Sequence, residues 1–364
     1  MYESRIAADP LTVASVEGFA PEIDALAECN LSDHGFLLAA WYRGNGQKTG
    51  RTLIVRRGQG PDGGAVIAAI PTVSFGPALA RVRKVAGCYW PLRSPLAARD
   101  CSVIELAEAL RHPEAVRSLG PVWRVGPARI DDATIERFIA AAQLTCWTVL
   151  SRPAGTSWVI DLDNARTHGL QRGSVPRKLR AGWRKLEALG TPHWRSVRGE
   201  QWNADVLADL GRIEADSWIA RTTDGSGAKF LTADQRGEWQ AILTDPVLAR
   251  MLSATILMLG ERPIAFNFFC DDGSVRYGIA GSHVEDLKHC AIGKSTNYRV
   301  MDDAMAAGLR LFDTGAGDGG YKREMGAVPG YDLADLLFVR NVIAARLLAR
   351  LWGAAVPPKS GPHG

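Results

Sequence analysis

Two short stretches carry side chains of the kinds that do chemistry. The first, Phe312-Asp-Thr-Gly-Ala-Gly-Asp-Gly-Gly-Tyr-Lys322, ends an apolar run in a glycine-rich loop with two carboxylates (Asp313, Asp318), a phenol (Tyr321) and an ammonium (Lys322). Loops at strand ends are where open sheets hold ligands. Asp313 either points into a cleft or closes the loop by accepting from nearby backbone N–H groups, as Asp does in Asx turns. Tyr321 and Lys322 fit a proton donor and a substrate contact, or equally a core aromatic and a surface cation. The second stretch, Ala291-Ile-Gly-Lys-Ser295, stands where a helical pattern begins. A helix N-terminus offers unpaired N–H groups and the positive end of the helix dipole, so it holds an anion such as a pyrophosphate. Gly293 lets the backbone approach closely and Lys294 adds charge. The run is not a Walker motif, which needs a glycine where this chain has Lys288, and a purely structural helix start fits it as well.

Further candidates lie upstream. Glu214 is a third carboxylate able to serve as a base beside Asp313 and Asp318, and His283, in Gly-Ser-His-Val, is a base or substrate contact, although a lone loop histidine is more often solvated. Between Arg172 and Arg198 lie Arg177, Lys178, Arg180, Arg184, Lys185 and Arg195, opposed only by Glu187. This local excess attracts a phosphate-bearing partner or forms a solvated helix face. The six cysteines include no CxxC pair, which predicts neither a zinc site nor a disulfide framework.

The elements that must position these groups follow from periodicity. Pro21–Ala27 reads as a short helix, Arg51–Arg56 and Ala65–Ile70 as a hairpin, Val103–Leu110 as a helix, Val122–Val125 as a strand, and the run from Asp132 as a helix. A new unit begins near Trp158. Ser174 caps a basic helix that Gly190 ends in a left-handed conformation, a second helix runs from Asn203 to about Ala220, and Thr232 with Gln235 makes a capping box. Then the period changes: Leu252–Leu259, Pro263–Cys270 and Ser274–Ala280 form an antiparallel meander joined by Gly-Glu-Arg and Asp-Asp-Gly turns, followed by a helix from about Ile292 to Ala307 and a strand over Leu309–Asp313. Asn341 caps a last helix with Arg346 and Arg350 on its polar side, before a tail read as disordered.

At 364 residues the chain exceeds the size at which one core usually keeps growing, so two domains are expected. No apolar run approaches the roughly 20 residues a membrane-spanning helix needs. The first residues lack the charged leader and apolar core of a signal peptide, so a cytoplasmic location is expected.

The stretch from the meander through Gly278-Ile-Ala-Gly281, Ile292-Gly-Lys, Leu311-Phe-Asp-Thr-Gly and Gly319-Gly-Tyr-Lys-Arg323 resembles the acyltransferase domain of GNAT proteins associated with bacterial cellulose and exopolysaccharide synthesis, themselves similar to Fem-type aminoacyl transferases. Arg177-Lys-Leu-Arg180 and Ile213-Glu-Ala-Asp-Ser-Trp218 extend the likeness, which covers roughly residues 158–340. The resemblance implies an α/β fold of the α+β type, built as tandem GNAT-like halves, each a mixed, largely antiparallel sheet flanked by helices. The halves would span residues 1–155 and 156–340, with a terminal helix and tail over 341–364. It implies that two strands, near Arg276–Gly281 and Arg310–Thr314, splay to admit the pantetheine arm of acetyl-CoA or another acyl-CoA. Ile292, Gly293, Lys294, Ser295 and Gly281 would then hold the donor. Strands that stay paired, with Phe268 and Tyr298 filling the space, would exclude this.

On this reading an amine of a small molecule, amino sugar or polysaccharide precursor attacks the thioester. Asp313, Asp318 or Glu214 takes its proton, Tyr321 protonates the thiolate, and Trp218, Lys322 and His283 contact the acceptor. No metal is required. Two alternatives stand beside it. One is an aminoacyl-tRNA donor, which the basic helix favours, although the modest pI and the absence of a long heptad arm speak against nucleic acid. The other is a non-catalytic binding module of a polysaccharide-synthesis assembly. The oligomeric state is left open.

Overall fold

The computed structural model describes residues 10–32, 34–44, 49–58, 64–87, 93–170, 173–222, 225, 227–317 and 319–354. The chain divides into two compact units, Met1–Gly155 with Asp332–Gly364, and Thr156–Tyr331.

The first unit runs β1 (Leu11–Glu17), α1 (Glu22–Glu28), α2 (Ala39–Arg43), β2 (Arg51–Arg57), β3 (Val66–Ser74), β4 (Arg83–Val85), β5 (Leu96–Ala97), α3 (Val103–Arg111), α4 (Pro113–Leu119), β6 (Val122–Arg129) and α5 (Ala133–Gln143). β7 (Thr148–Asp161) leads into the second unit, which holds α6 (Leu162–His168), α7 (Val175–Glu187), β8 (Pro192–Arg198), α8 (Ala204–Ala215), α9 (Trp218–Thr222), α10 (Ala233–Leu243), α11 (Pro246–Met251), β9 (Leu252–Leu259), β10 (Arg262–Asp272), β11 (Val275–His283), α12 (Ile292–Ala306), β12 (Leu311–Ala316) and α13 (Tyr321–Glu324). β13 (Val328–Val339) returns to the first unit, where α14 (Val342–Trp352) is the last element.

The same strand plan appears twice. In the first unit β1, β2, β3 and β4 are successive antiparallel neighbours, β4 pairs parallel with β6, and β6 pairs antiparallel with β13. In the second, β8 to β11 are successive antiparallel neighbours, β11 pairs parallel with β12, and β12 pairs antiparallel with β7. Each unit is thus a mixed, mostly antiparallel sheet flanked by helices. Both tight turns of the second meander use a glycine at φ 55°, Gly260 and Gly273, a region other residues enter at a cost.

Several boundaries differ from those the sequence suggests. Asp332–Arg340 and the terminal helix join the first unit, because β13 ladders from Leu333 to Val339 onto β6. Gly190 is not a left-handed cap. α7 closes at Ala188 in the right-handed region, and Gly190 instead faces Leu259, whose Cδ1 would lie 3.2 Å from an added Cβ. The second helix breaks at Asp216-Ser217, where the Ser217 hydroxyl bonds the Glu214 carbonyl and caps the N–H of Ile219, restarting the chain as α9. The capping box at Thr232 and Gln235 and the cap at Asn341 form as expected. β8, Pro-His-Trp-Arg-Ser-Val-Arg, lacks apolar alternation, as suits an edge strand that carries a proline and charges.

In the second unit Tyr298, Val300, Met301 and Ala304 of α12 pack on Ile160, Phe269 and Phe312 of the sheet. On the other face, Phe268 meets Trp202, Phe230 and Trp239 at ring distances of 4.7 to 5.6 Å. Among the described residues no helix is long and apolar enough to cross a membrane.

Candidate functional site

Parallel pairing of β11 with β12 covers only Val275 with Leu311, Arg276 with Phe312 and Tyr277 with Asp313. Gly278 permits the close approach at this last rung, since an added Cβ would sit 3.2 Å from the Asp313 carbonyl oxygen. Beyond it the strands part. From Ala280 to His283, β11 ladders only with β10. β12 turns toward β7, with Thr314 donating to the Trp158 carbonyl and Ala316 opposite Ser157. A bulge in β11 between Gly278 and Ala280, opposite Phe268 and Phe269, sharpens the departure. The opening therefore has an apex at Tyr277 and Asp313.

At that apex Asp313 is buried and fully engaged. Its Oδ1 accepts from the Ser157 hydroxyl at 2.5 Å and from the N–H of Gly315 at 2.8 Å, and its Oδ2 accepts from the Tyr331 phenol. The Gly315 contact is the Asx turn that the sequence allowed. Burial, followed by the Asp313 charge, pushes the Tyr331 phenol far above its ordinary value, so it stays protonated. Ser157 and Tyr331 were not legible as site residues, since they meet Asp313 only through sheet pairing and the return of the chain after α13.

At the far end of the opening α12 begins. Ala291 takes a left-handed φ of 56°, and no side chain caps the first turn. The Gly293 position is filled from the protein side: an added Cβ would lie 2.7 Å from Nδ1 of His283. The His283 imidazole makes no hydrogen bond among the described residues, while its backbone lies opposite Ala265 in the β10–β11 ladder. Burial lowers its imidazole below the ordinary value; Glu285 opposes this and Lys288 adds to it. It is therefore neutral near pH 7. Six residue steps along the strand, roughly 20 Å, separate His283 from Tyr277, so it serves the helix start and not the apex. Lys294 pairs with Glu324 at 2.6 Å. The Tyr298 hydroxyl is buried with no partner among the described residues, one turn past Lys294. Ser295 lies in the same first turn, its N–H donating to the Ala291 carbonyl.

The basic helix crosses this helix start. Gly182 of α7 lies so close to the Cys290 carbonyl oxygen that an added Cβ would sit 2.3 Å from it. A glycine within a helix lowers its stability, so Gly182 was the available sign of this crossing. Lys294 and, more weakly, Lys178 hold the exposed Glu324 carboxyl below its ordinary range, while Lys185 opposes the upward push that burial gives the Cys290 thiol. Lys178 and Lys185 of the basic run thus act on the start of α12, whereas Arg195 pairs with Asp209 at 3.0 Å.

The remaining candidates divide. Lys322 is buried, and its ammonium donates to the carbonyls of Gly315 (2.7 Å) and Ala316 (3.0 Å), so it fastens the end of β12 and is not offered to a substrate. Glu214 is buried in α8 and accepts from the N–H groups of Lys229 and Phe230. Desolvation raises its carboxyl and those amides oppose the rise, so it holds the segment before α10 and is not a free base. Gly281 faces Asn267, which bonds Asn297 of α12 at 2.9 Å, so its missing Cβ makes room for that pair. Ile292 is a core residue. Tyr321 is half-exposed and packs over Gly319 on α13, between the end of β12 and Glu324. Trp218 is half-exposed on α9, beside the loop after β11, where Glu285 donates to the Asp216 carbonyl. Asp318 lies outside the described residues. Among the described residues no cluster of three or more His, Cys, Asp or Glu could hold a metal.

Comparison with known proteins bears on the fold that carries this site. Residues 173–323 match the family model described as acetyltransferase (GNAT) domain. No curated protein matches the sequence. Among solved structures, FemX superimposes with a TM-score of 0.58 at 11% identity, covering 92% of this chain and 99% of that one. L-PGS from Bacillus licheniformis gives 0.53 at 13%, covering 92% and 98%. A tandem GNAT protein from the clavulanic acid biosynthesis pathway gives 0.50 at 12%, covering 91% and 99%. At these identities the likeness is one of fold, a tandem GNAT-like fold over nearly the whole chain.

Proposed function

We propose that the second unit is an acyl-CoA-dependent N-acyltransferase that moves an acyl group, acetyl in the simplest case, to an amine of a small molecule, amino sugar or polysaccharide precursor. The observation that carries this reading is the parting of β11 and β12 beyond Tyr277 and Asp313, in line with an uncapped helix start. An extended pantetheine arm lies along the open edge of β11. The pyrophosphate rests on the first N–H groups of α12, with Lys294, Ser295 and His283 beside it.

The thioester is then held at the apex. The amine nitrogen forms a bond to the acyl carbon and the carbon–sulfur bond breaks. The Tyr331 phenol takes the excess proton of the amine, directly or through one water, as its own proton passes to Asp313. The departing thiolate takes a proton from Tyr321. Catalysis is otherwise positioning, with strand N–H groups stabilising the developing oxyanion. Asp313 acts in this scheme through Tyr331, and Trp218 lies on the acceptor side.

The test is thermal stability with acetyl-CoA and a longer acyl-CoA. A saturable rise, lost in Gly293→Glu, supports the reading. The crossing of α7 over the start of α12 at Gly182 also favours a second reading, an aminoacyl-tRNA donor. A shift with charged tRNA and none with any CoA ester would select it.

A further inference from the structure

The first unit carries a surface that acyl transfer does not use. α14 packs through Ala345, Leu348, Ala349 and Trp352 onto Leu150, Leu337 and Val339. Its other face presents Ile343, Leu347 and Leu351, spaced four apart, at 78%, 59% and 76% exposure. Exposed Arg346 and Arg350 stand on the same outward face. A helix face so apolar has a partner in most folded proteins.

Charge says which kind. From Leu336 to Gly364 the chain has Arg340, Arg346, Arg350 and Lys359 and no Asp or Glu. The rest of the sequence is balanced, since four of the 43 basic residues and none of the 39 acidic ones lie in this segment. The whole formal excess of +4 therefore belongs to the helix, its approach and its tail. A second copy seated on this face would bring guanidinium groups together, which disfavours self-pairing. An apolar ridge bordered by arginines instead matches an anionic lipid surface, where the ridge enters the acyl boundary and the cations meet phosphates.

The helix is firmly placed for this. Arg152 stacks on Trp352 at 4.5 Å and pairs with Asp335, which also pairs with Arg124, and Arg124 lies 5.5 Å from the Phe75 ring. Four residues beyond Phe75, Leu79 is 99% exposed.

We infer that α14 docks the protein on membranes bearing anionic lipid, lying in the interface without spanning it. The test is co-sedimentation of the full chain with vesicles of phosphatidylcholine alone and of an equal mixture with phosphatidylglycerol. Binding is expected only to the mixture and should fall as salt is raised. Arg346→Gln and Arg350→Gln should each weaken it about fivefold. Leu347→Ser with Leu351→Ser should lower it by about tenfold or more, with the melting temperature checked for each variant. The arginine variants leave the apolar contacts untouched and so report even if the serine pair misfolds. Equal binding to both vesicles, binding to neither, or indifference to the arginine variants would overturn the inference. So would a dimer in solution that Leu347→Glu dissociates, which would assign the face to a second copy. Acyl transfer is not needed for any of these outcomes.

Discussion

Among the described residues each unit shows one parallel strand pair, and in each the first α-helix after the leading strand of that pair can be compared: α3, followed by α4, between β4 and β6, and α12 between β11 and β12. The two helix starts are finished differently. At α3, Ser102 accepts from the N–H of Glu105 while the Glu105 carboxylate accepts from the N–H of Ser102, and Arg57 pairs with the same carboxylate at 2.7 Å. The chain thereby supplies its own anion. At α12 no side chain caps the first turn, and the residue before it is a left-handed alanine. One repeat uses the positive end of its helix for stability, and the other leaves it without a side-chain cap, where the proposed donor would bind.

Gly293→Glu forces a carboxylate-bearing side chain against the His283 ring, 2.7 Å from the added Cβ, and so displaces the groups at the open start beside which the donor's phosphates would rest. Any stabilisation by acetyl-CoA should disappear, a loss of at least about a hundredfold in affinity, measured by calorimetric titration. Retained affinity in a folded variant would show that the open start of α12 is not the donor site.

At the apex, Tyr331→Phe removes the proposed proton relay but leaves Asp313 its bonds from Ser157 and Gly315. A fall in kcat of about a hundredfold with little change in KM is expected in an acetyl-transfer assay. Asp313→Asn should match this loss and also lower stability by ~1–3 kcal/mol, because it disturbs three buried hydrogen bonds. If Tyr331→Phe leaves kcat unchanged, Asp313 is a loop fastener alone.

The closed start has its own test. Hydrogen bonding from Arg57, above all, holds the Glu105 carboxyl down at about 2, against an ordinary 4.5. A lowered folded-state value means a contribution that is fully present above about 4.5 and lost as pH falls toward 2. Glu105→Gln should cost ~1–2 kcal/mol near neutral pH. Its melting temperature should converge on the parent's as the solution is acidified below 4.5. Donor affinity should not move.

This contrast between repeats was half visible in the sequence. The meander, the strand ending at Asp313 and the helix from Ile292 follow from period and turn residues, which act locally, and so does the capping of α10 and α14. What Asp313, Glu214 and Lys322 do was not visible. Each is a polar residue whose role is set by backbone groups or side chains that come together only on folding: Tyr331 by the returning chain, the amides of Lys229 and Phe230 by a loop, the carbonyls of Gly315 and Ala316 by the end of β12. Gly293 was singled out for closeness to a phosphate, yet its nearest neighbour is the His283 ring. The parting of β11 and β12 also has no local signal, because it depends on where a ladder between two distant segments stops.

The smallest expected effect concerns the carboxylate paired with Lys294 at the open start. Glu324 is largely exposed and pairs with Lys294, so in the free protein it partly neutralises the cation that the donor's phosphates would meet. An exposed pair of this kind contributes little to stability, so Glu324→Gln should leave the melting temperature almost unchanged. It should nevertheless free Lys294 and strengthen CoA binding by about threefold at low salt, an advantage that fades as ionic strength rises. Weaker binding in Glu324→Gln would mean that Glu324 holds Lys294 in its working position. The second unit would then be partly charge-arranged by its own side chains, and the difference from the first unit would be one of degree.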